Sequence, residues 1–256
     1  MDVAIQTEGL SRNFGQFRAV KDVALTVERG TFYGFLGRNG AGKSTTIKML
    51  TGLLAPSDGK ISVLGQDPAD PDQALIMKRQ IGVVPEDLAL FDNLKAAEYL
   101  TFLGRMHSIP NDVLQGRIKE LLTLLDLQKD AEKLTVEYSH GMKKKLALAA
   151  ALLPDPDLLF LDEPFEGVDA VASRTIRKLL IDFKDRGSTI FLTSHVLEIV
   201  ERLCTHVGII VNGELVEQTA IADLGSGGSL EQRFLEVVGT DLEAEAQLSW
   251  LGERDS

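Results

Sequence analysis

The chain has 256 residues, with 27 basic and 38 acidic side chains and a formal net charge of −11. Its hydrophobic fraction of 44% and charged fraction of 25% are typical of a globular protein and exclude a disordered or fibrous chain. The acidic balance argues against a nucleic-acid-binding protein, because such proteins present a basic surface that displaces counterions from phosphates.

The chain alternates short β-like runs with helical runs, which predicts an α/β fold. The later apolar runs are continuous, which is typical of a parallel sheet buried on both faces. Several early strands have little helix between them and predict a separate antiparallel layer. The predicted strands are Val3–Gly9, Val23–Val27, Phe32–Leu36, Ile61–Leu64, Ile81–Val84, Leu158–Asp162, Thr189–Thr193 and Val207–Val211.

Three helical patterns interrupt this alternation at Asn93–Met106, Asp112–Leu125 and His140–Leu153. They predict an all-helical insertion at about residues 87–154. Near the C-terminus, Asn212-Gly213 predicts a tight β-hairpin. Ser229 and Gln232 form a capping-box pattern, which predicts a helix start. A short amphipathic helix docked on the core is predicted to follow, with one apolar face formed by Leu230, Phe234, Leu235 and Val238. The acidic residues 239–256 are predicted to form a flexible tail.

Sequence features also bear on cellular location. The N-terminus has neither the basic region nor the apolar stretch of a secretory signal. The longest apolar run, Leu146 to Leu153, is far shorter than the roughly 18–20 residues of a membrane helix. Cys204 is the only cysteine, so no internal disulfide can form. We therefore expect a cytoplasmic chain.

The first chemical motif is a phosphate-binding loop that follows a predicted strand and opens a helix. Glycines let backbone N–H groups face phosphates, and the helix N-terminus adds positive dipole. Lys43 is expected to reach the β- and γ-phosphates, and Ser44 to ligate Mg²⁺. The predicted nucleotide-binding residues of this loop are Gly37, Asn39, Gly40, Ala41, Gly42, Lys43, Ser44 and Thr45.

A second motif is the apolar run Leu158–Leu161, which ends in two carboxylates. A buried strand would deliver Asp162 to the sheet edge beside the loop, where it can hold Mg²⁺ through water. Glu163, one residue further, is then placed to orient or deprotonate an attacking water. The two motifs together predict a nucleotide-hydrolysing site.

At this point residues 3–238 resemble the ATP-binding subunit of ATP-binding cassette transporters. The resemblance implies a P-loop NTPase (RecA-like) core with a parallel sheet, an antiparallel β layer and a helical insertion. Phe14 is similar in position to the aromatic residue on which adenine stacks, and Glu86 to a metal-contacting glutamine. His195 is similar to the switch histidine near the γ-phosphate. The implied catalytic residues are Glu163, His195 and Lys43, and the implied metal ligands are Ser44, Glu86 and Asp162.

Tyr138–Met142 resembles the family's signature motif but differs from the usual Leu-Ser-Gly-Gly-Gln at three of five positions. Ser139 remains a good helix N-cap. Ser139 and Gly141 are the groups that would bind a γ-phosphate presented by a second subunit. Asp169 resembles the aspartate that links the two ATP sites. The lysines at 143–145 could face an opposing anion or form a solvated basic face.

The resemblance implies an ATP-hydrolysing motor on the inner face of the cell membrane, paired with a second cassette and an integral membrane subunit. Three segments resemble the export-type branch of this family: the signature variant, the Pro85-Glu86 loop and Ser229–Phe234. A soluble cassette ATPase acting on ribosomes or DNA is the alternative. A P-loop kinase or GTPase is a third reading, although the Asn-Lys-x-Asp motif of GTPases is absent.

One apolar segment predicts a contact with the membrane partner. Leu88, Leu90 and Phe91 precede the first helix of the insertion. Large apolar side chains beside a metal-contacting residue are unusual in plain solvent contact. The resemblance favours a docking groove here, and the alternative is that these residues form a small core of the insertion.

Overall fold

The computed structural model describes residues 2–224 and 229–239. The strands of this part of the chain are β1 Val3–Phe14, β2 Phe17–Val23, β3 Thr26–Glu28, β4 Phe32–Leu36, β5 Asp58–Val63, β6 Ile81–Val84, β7 Leu158–Asp162, β8 Thr189–Ser194, β9 His206–Val211 and β10 Glu214–Ala220. The α-helices are α1 Lys43–Leu50, α2 Pro71–Gln80, α3 Ala96–Met106, α4 Asn111–Leu124, α5 His140–Leu152, α6 Ala170–Asp185, α7 Leu197–Leu203 and α8 Leu230–Val238. The predicted α/β class is confirmed.

Four strands form the predicted antiparallel layer. Strand β1 pairs with β2, β3 and β5, always antiparallel. The prediction of one strand at Val23–Val27 is wrong, because β2 ends at Val23 and β3 begins only at Thr26. Asp22, with φ 52, lies within β2, where the register of the β1–β2 pairing shifts between Val20 and Val23. Alternation of buried and exposed residues in β1 and β2 shows that one face of this layer packs on the core.

The other six strands form the central sheet in the order β10-β9-β4-β8-β7-β6. Strands β9, β4, β8, β7 and β6 are parallel, and the hairpin strand β10 is antiparallel to β9. Every residue of β4, β7 and β8 is buried, as the continuous apolar runs predict. Asn212 and Gly213 both have positive φ, 49 and 88, which confirms the predicted hairpin turn.

Alternate side chains of the central sheet enter two different cores. Tyr33, Phe160 and Phe191 point toward the antiparallel layer and α1, and the Tyr33 and Phe191 rings stack at 5.6 Å. Leu159, Leu161 and Leu192 point to the opposite face, against the helices of the insertion and α6. The sheet is therefore covered on both faces, and its carboxyl ends stay free to present side chains.

The predicted helical insertion consists of α3, α4 and α5, with short 3₁₀ turns before α5. It packs on the sheet where α5 crosses β6. A side-chain carbon on Gly82 would lie only 2.3 Å from the carbonyl oxygen of Ala151, so this close approach requires glycine. The insertion also brings the N-terminal part of α5 to the carboxyl end of β7, where Asp162 and Glu163 lie.

The C-terminal helix α8 begins with the predicted capping box, in which Ser229 and Gln232 exchange hydrogen bonds. Leu230 is buried, whereas Leu235, predicted on the packed face, is exposed. Residues 240–256 of the predicted flexible tail lie outside the described residues. In residues 2–224 and 229–239, no helix has both the length and the apolar character needed to cross a membrane.

Candidate functional site

The phosphate-binding loop turns directly into α1. The first helical residue is Lys43, and the helix N-cap is Gly42 with φ 107, a conformation that L side chains rarely adopt. A side-chain carbon at Gly42 would lie 2.6 Å from the carbonyl oxygen of Ala19. No side chain caps the N-terminus of this helix. Its first N–H groups are therefore available to an anionic ligand.

A pocket of about 420 Å³ opens over this loop. Phe14 and Phe17 face each other across the β1–β2 turn and form its apolar wall. Both rings are well exposed, at 47% and 65%. The residues that line the pocket are Phe14, Phe17, Ala19, Asn39, Gly40, Gly42, Lys43, Ser44, Thr45, Glu86 and Glu163. An aromatic wall next to a cationic loop suits a base at one end and phosphates at the other.

The Glu163 carboxylate lies at the far end of the pocket, between the two other predicted catalytic residues. Its Oε1 atom is 3.4 Å from Lys43 Nζ and 3.0 Å from His195 Nδ1. Neither contact has hydrogen-bond geometry, and nothing else in the described chain donates to this buried atom. Lys43 Nζ donates instead to the carbonyl oxygen of Gly37 at 2.8 Å. A buried carboxylate oxygen without a donor is suited to accept a proton or hydrogen bond from a ligand.

The backbone of Glu163 is held in an unusual conformation. Its φ of 46 lies in the left-handed region, which few non-glycine residues adopt. Its N–H donates to Thr193 Oγ1 at 3.1 Å, and its carbonyl oxygen accepts from Lys144 Nζ at 2.5 Å. Burial lowers the pKa of Lys144, although nearby carboxylates, Glu166 first, oppose that shift. Strained backbone of this kind occurs at functional sites where neighbours impose it.

The three predicted metal ligands lie at the same end of the sheet. Ser44 Oγ donates to Glu86 Oε2 at 3.1 Å, so the structure brings these two together. Asp162 is buried at the end of β7, and its Oδ1 accepts a hydrogen bond from Thr193 Oγ1. The described residues contain no cluster of three or more His, Cys, Asp or Glu side chains fit to hold a metal. Few protein ligands of this kind suit Mg²⁺, which keeps waters and binds substrate phosphates.

The signature segment lies outside this pocket. Ser139 is exposed and caps α5, because its Oγ accepts from the N–H of Met142 at 3.3 Å. A side-chain carbon on Gly141 would lie 3.3 Å from the carbonyl oxygen of Gly167, so the segment abuts the loop before α6. Asp169 caps α6 by accepting from Val171 N and Ala172 N, and the Ala172 hydrogen bond is the main cause of its lowered pKa.

Sequence reasoning missed three residues around the site. Phe17 pairs with Phe14 across a two-residue turn, and the glycine at position 15 was a signal for that hairpin. Thr193 is the penultimate residue of a strand, where a polar residue interrupts an apolar run. Lys144 stands in a lysine run on a helix, and no local pattern distinguishes it from its neighbours.

Comparison with known proteins gives consistent results. The family model described as ABC transporter matches residues 20–166. The chain is 39% identical over 219 residues to the bacitracin transport ATP-binding protein BcrA of Bacillus licheniformis, covering 85% of this chain and 70% of the relative. It is 35% identical to the linearmycin resistance ATP-binding protein LnrL of Bacillus subtilis, covering 87% and 71%. A solved structure described as the ATP-binding subunit of an ABC transporter superposes with a TM-score of 0.86, at 30% identity, covering 92% and 100%.

The fold, the phosphate-binding loop and these similarities lead to one conclusion. The resemblance to cassette ATPases is confirmed, and the alternatives of a ribosome- or DNA-acting cassette find no support. The chain binds ATP and hydrolyses it to power transport, because that is the activity of the family. It belongs to the ABC transporter family as an ATP-binding cassette.

Proposed function

We propose that this protein drives the export of a substrate through a partner membrane subunit, and that Glu163 is the residue that activates water for ATP hydrolysis. One observation carries the catalytic assignment. The buried Oε1 atom of Glu163 faces the nucleotide pocket without a hydrogen-bond donor, within 3.4 Å of the loop lysine and 3.0 Å of His195. A water between this oxygen and a γ-phosphate would be activated by the carboxylate, while Lys43 stabilises the phosphate charge.

The other predicted residues take roles that their positions support. Phe14, joined by Phe17, would stack on the adenine at the open end of the pocket. Ser44 would ligate Mg²⁺ directly, while Glu86, which accepts the Ser44 hydrogen bond, and Asp162 would hold its waters. Bound Mg²⁺ supplies neutralisation of the phosphate charge. His195 would contact the γ-phosphate from the end of β8.

Two cassettes are proposed to close around two ATP molecules. Ser139 and Gly141 lie at the N-terminus of a thirteen-residue helix but do not line the pocket of their own chain. A helix N-terminus attracts anions. Ser139 and Gly141 would therefore complete the ATP site of a second cassette, with Asp169 at the same interface. Whether that second cassette is identical or homologous follows from the experiment below.

The membrane partner is proposed to dock in an apolar groove between β6, α3 and α5. The groove has a volume of about 350 Å³ and is lined by Leu88, Leu90, Tyr99, Leu103, Ala147 and Ala150, among others. It begins beside Pro85, one residue before Glu86, so nucleotide-dependent movement at Glu86 would reach the partner directly. The predicted occupant is a short helix from the cytoplasmic side of a membrane subunit. A cassette docked in this way would lie on the inner face of the membrane.

Export is the proposed direction. The relatives named above act in bacitracin transport and linearmycin resistance, and a further relative of 38% identity is the Nod factor export ATP-binding protein I of Rhizobium leguminosarum. The substrate itself would be bound by membrane helices of the partner, so its class is to be identified with the whole transporter.

The test is Glu163→Gln, which keeps the side-chain volume and removes the proposed base. Glu120→Gln is the matched control, since Glu120 is an exposed glutamate of α4 that does not line the pocket. We expect Glu163→Gln to lose hydrolysis by about 10²-fold or more in single-turnover assays. It should still bind ATP, because the loop is unchanged, and light scattering should then show closure to a dimer.

Near-normal hydrolysis by Glu163→Gln would refute the catalytic assignment. A variant that binds ATP but stays monomeric, both alone and mixed with a homologous cassette subunit from the same organism, would refute the two-cassette proposal. Dimers of the single protein would show a homodimer, and dimers only in the mixture would show a heterodimer.

A further inference from the structure

One charged side chain in the insertion is buried although its neighbours in sequence are not. Lys144 is 2% exposed, whereas Lys143 and Lys145 on either side are partly exposed. The lysine run is therefore not a uniform basic face. A lysine is almost never fully buried unless it is paired, so the position of this ammonium group calls for a specific partner.

The partner is the backbone of the proposed catalytic residue. Lys144 Nζ donates to the carbonyl oxygen of Glu163 at 2.5 Å, across from α5 to the end of β7. Glu163 in turn donates its own backbone N–H to Thr193 Oγ1. Both backbone polar groups of Glu163 are thus held by side chains from two different elements, and its carbonyl oxygen also accepts from the N–H of Glu166 at 3.3 Å. Together they fix a residue whose φ of 46 is unfavourable for glutamate.

The charge of Lys144 also matches its surroundings. Burial lowers the pKa of Lys144, and the negative charges of four carboxylates oppose this shift: those of Glu166, Glu163, Glu86 and Asp162. Such a group of negative charges at the end of two strands would repel itself. A buried ammonium group among them reduces that repulsion. A neutral donor would satisfy the Glu163 carbonyl equally well but would not supply this charge.

We propose that Lys144 is a positioning residue for ATP hydrolysis, which holds Glu163 in the left-handed conformation that directs its carboxylate into the nucleotide pocket. The proposal rests on the catalytic role proposed for Glu163 above. Helix α5 would then have two roles. It begins with the signature segment, and it also supports the hydrolytic residue of its own chain.

The experiment compares Lys144→Met and Lys144→Arg with Lys119→Met, a control at an exposed lysine of α4. We expect Lys144→Met to lower kcat by about tenfold to a hundredfold, because small displacements of a catalytic group cost that much. The Kd for ATP and the KM should change little, since Lys144 does not line the pocket. Lys144→Arg should restore at least part of kcat, since it keeps both the charge and a donor. Rates are expressed per ATP-binding site, so unfolded protein does not enter them.

A double-mutant cycle separates this proposal from the one on which it rests. If Lys144 acts through Glu163, adding Lys144→Met to Glu163→Gln should change the residual single-turnover rate by less than about threefold. A full additional loss in that background, or a wild-type kcat for Lys144→Met, would overturn the positioning role. Equal losses of kcat for the Met and Arg variants would also overturn it. Near-normal hydrolysis by Glu163→Gln alone would instead refute the catalytic role of Glu163.

Discussion

Thr193 offers a sharp test of how the hydrolytic end of the site is held together. Its side chain is fully buried, and its hydroxyl makes two hydrogen bonds: it donates to Asp162 Oδ1 and accepts from the N–H of Glu163 at 3.1 Å. Thr193→Val removes both bonds while keeping nearly the same volume. The hydroxyl therefore connects the proposed metal-holding residue to the proposed base.

The expected magnitude follows from these two bonds. A hydrogen bond to a charged group contributes about 1.5–3 kcal/mol, and a buried N–H left without a partner costs about 1–3 kcal/mol. Because effects at neighbouring groups do not simply add, we expect Thr193→Val to lower the free energy of unfolding by about 2–4 kcal/mol. We also expect a lower kcat, since the Glu163 N–H loses its hydrogen-bond partner.

The assay is urea unfolding followed by circular dichroism, with the slope compared between variants so that a midpoint shift reports stability. Thr193→Ser is the matched control, because it keeps the hydroxyl and loses only a methyl group, at a cost of about 1 kcal/mol. If the Val variant is as stable as the Ser variant, the hydroxyl does not hold Asp162 and Glu163 in the way described.

Two further predictions concern the aromatic wall of the nucleotide pocket and the segment proposed to contact the membrane partner. Phe17→Ala should raise the Kd for ATP at least severalfold in fluorescence titrations, as Phe14→Ala should, because both rings form the pocket wall; an unchanged Kd for Phe17→Ala would leave Phe14 as the sole stacking residue. Phe91→Ser should weaken co-purification with the membrane subunit while leaving the ATPase rate of the isolated cassette unchanged, because its ring is 51% exposed beside Tyr99 and Phe102. Unfolding of the isolated Phe91→Ser protein, with normal partner affinity of the folded fraction, would show that Phe91 belongs to the core of the insertion.

The apolar segment before α3 was predicted either to contact the membrane partner or to form a small core of the insertion, and the structure bears on both interpretations. Leu88 and Leu90 are partly buried against the large core that the insertion shares with the central sheet, and not in a separate small core of the insertion. Phe91 remains half exposed, with its ring edge-on to Phe102 at 5.5 Å. The segment therefore anchors itself with two leucines, while Phe91 stays half exposed beside Tyr99, which lines the proposed groove.

Local sequence patterns alone were enough to predict the phosphate-binding loop, the buried strands of the central sheet, one hairpin turn and one helix cap. The phosphate-binding loop depends on glycines and a lysine within eight consecutive residues, so its chemistry is visible without a fold. The strands β4, β7 and β8 are buried on both faces and therefore stand out as continuous apolar runs. The Asn212-Gly213 turn and the Ser139 helix cap are likewise local, because their hydrogen bonds or dihedral angles involve residues close in sequence.

Contacts between distant segments were decided only by the tertiary structure. Position 144 looks like its lysine neighbours in sequence, and it differs only because α5 crosses the sheet next to Glu163, nineteen residues later in the chain. Thr193 reaches Asp162 and Glu163 because β7 and β8 are adjacent parallel strands. The predicted strand at Val23–Val27 is split because β2 pairs with residues 10–14 of β1, whereas β3 pairs with residues 3–6. Such features depend on how elements pack, and no periodicity or motif within one segment records them.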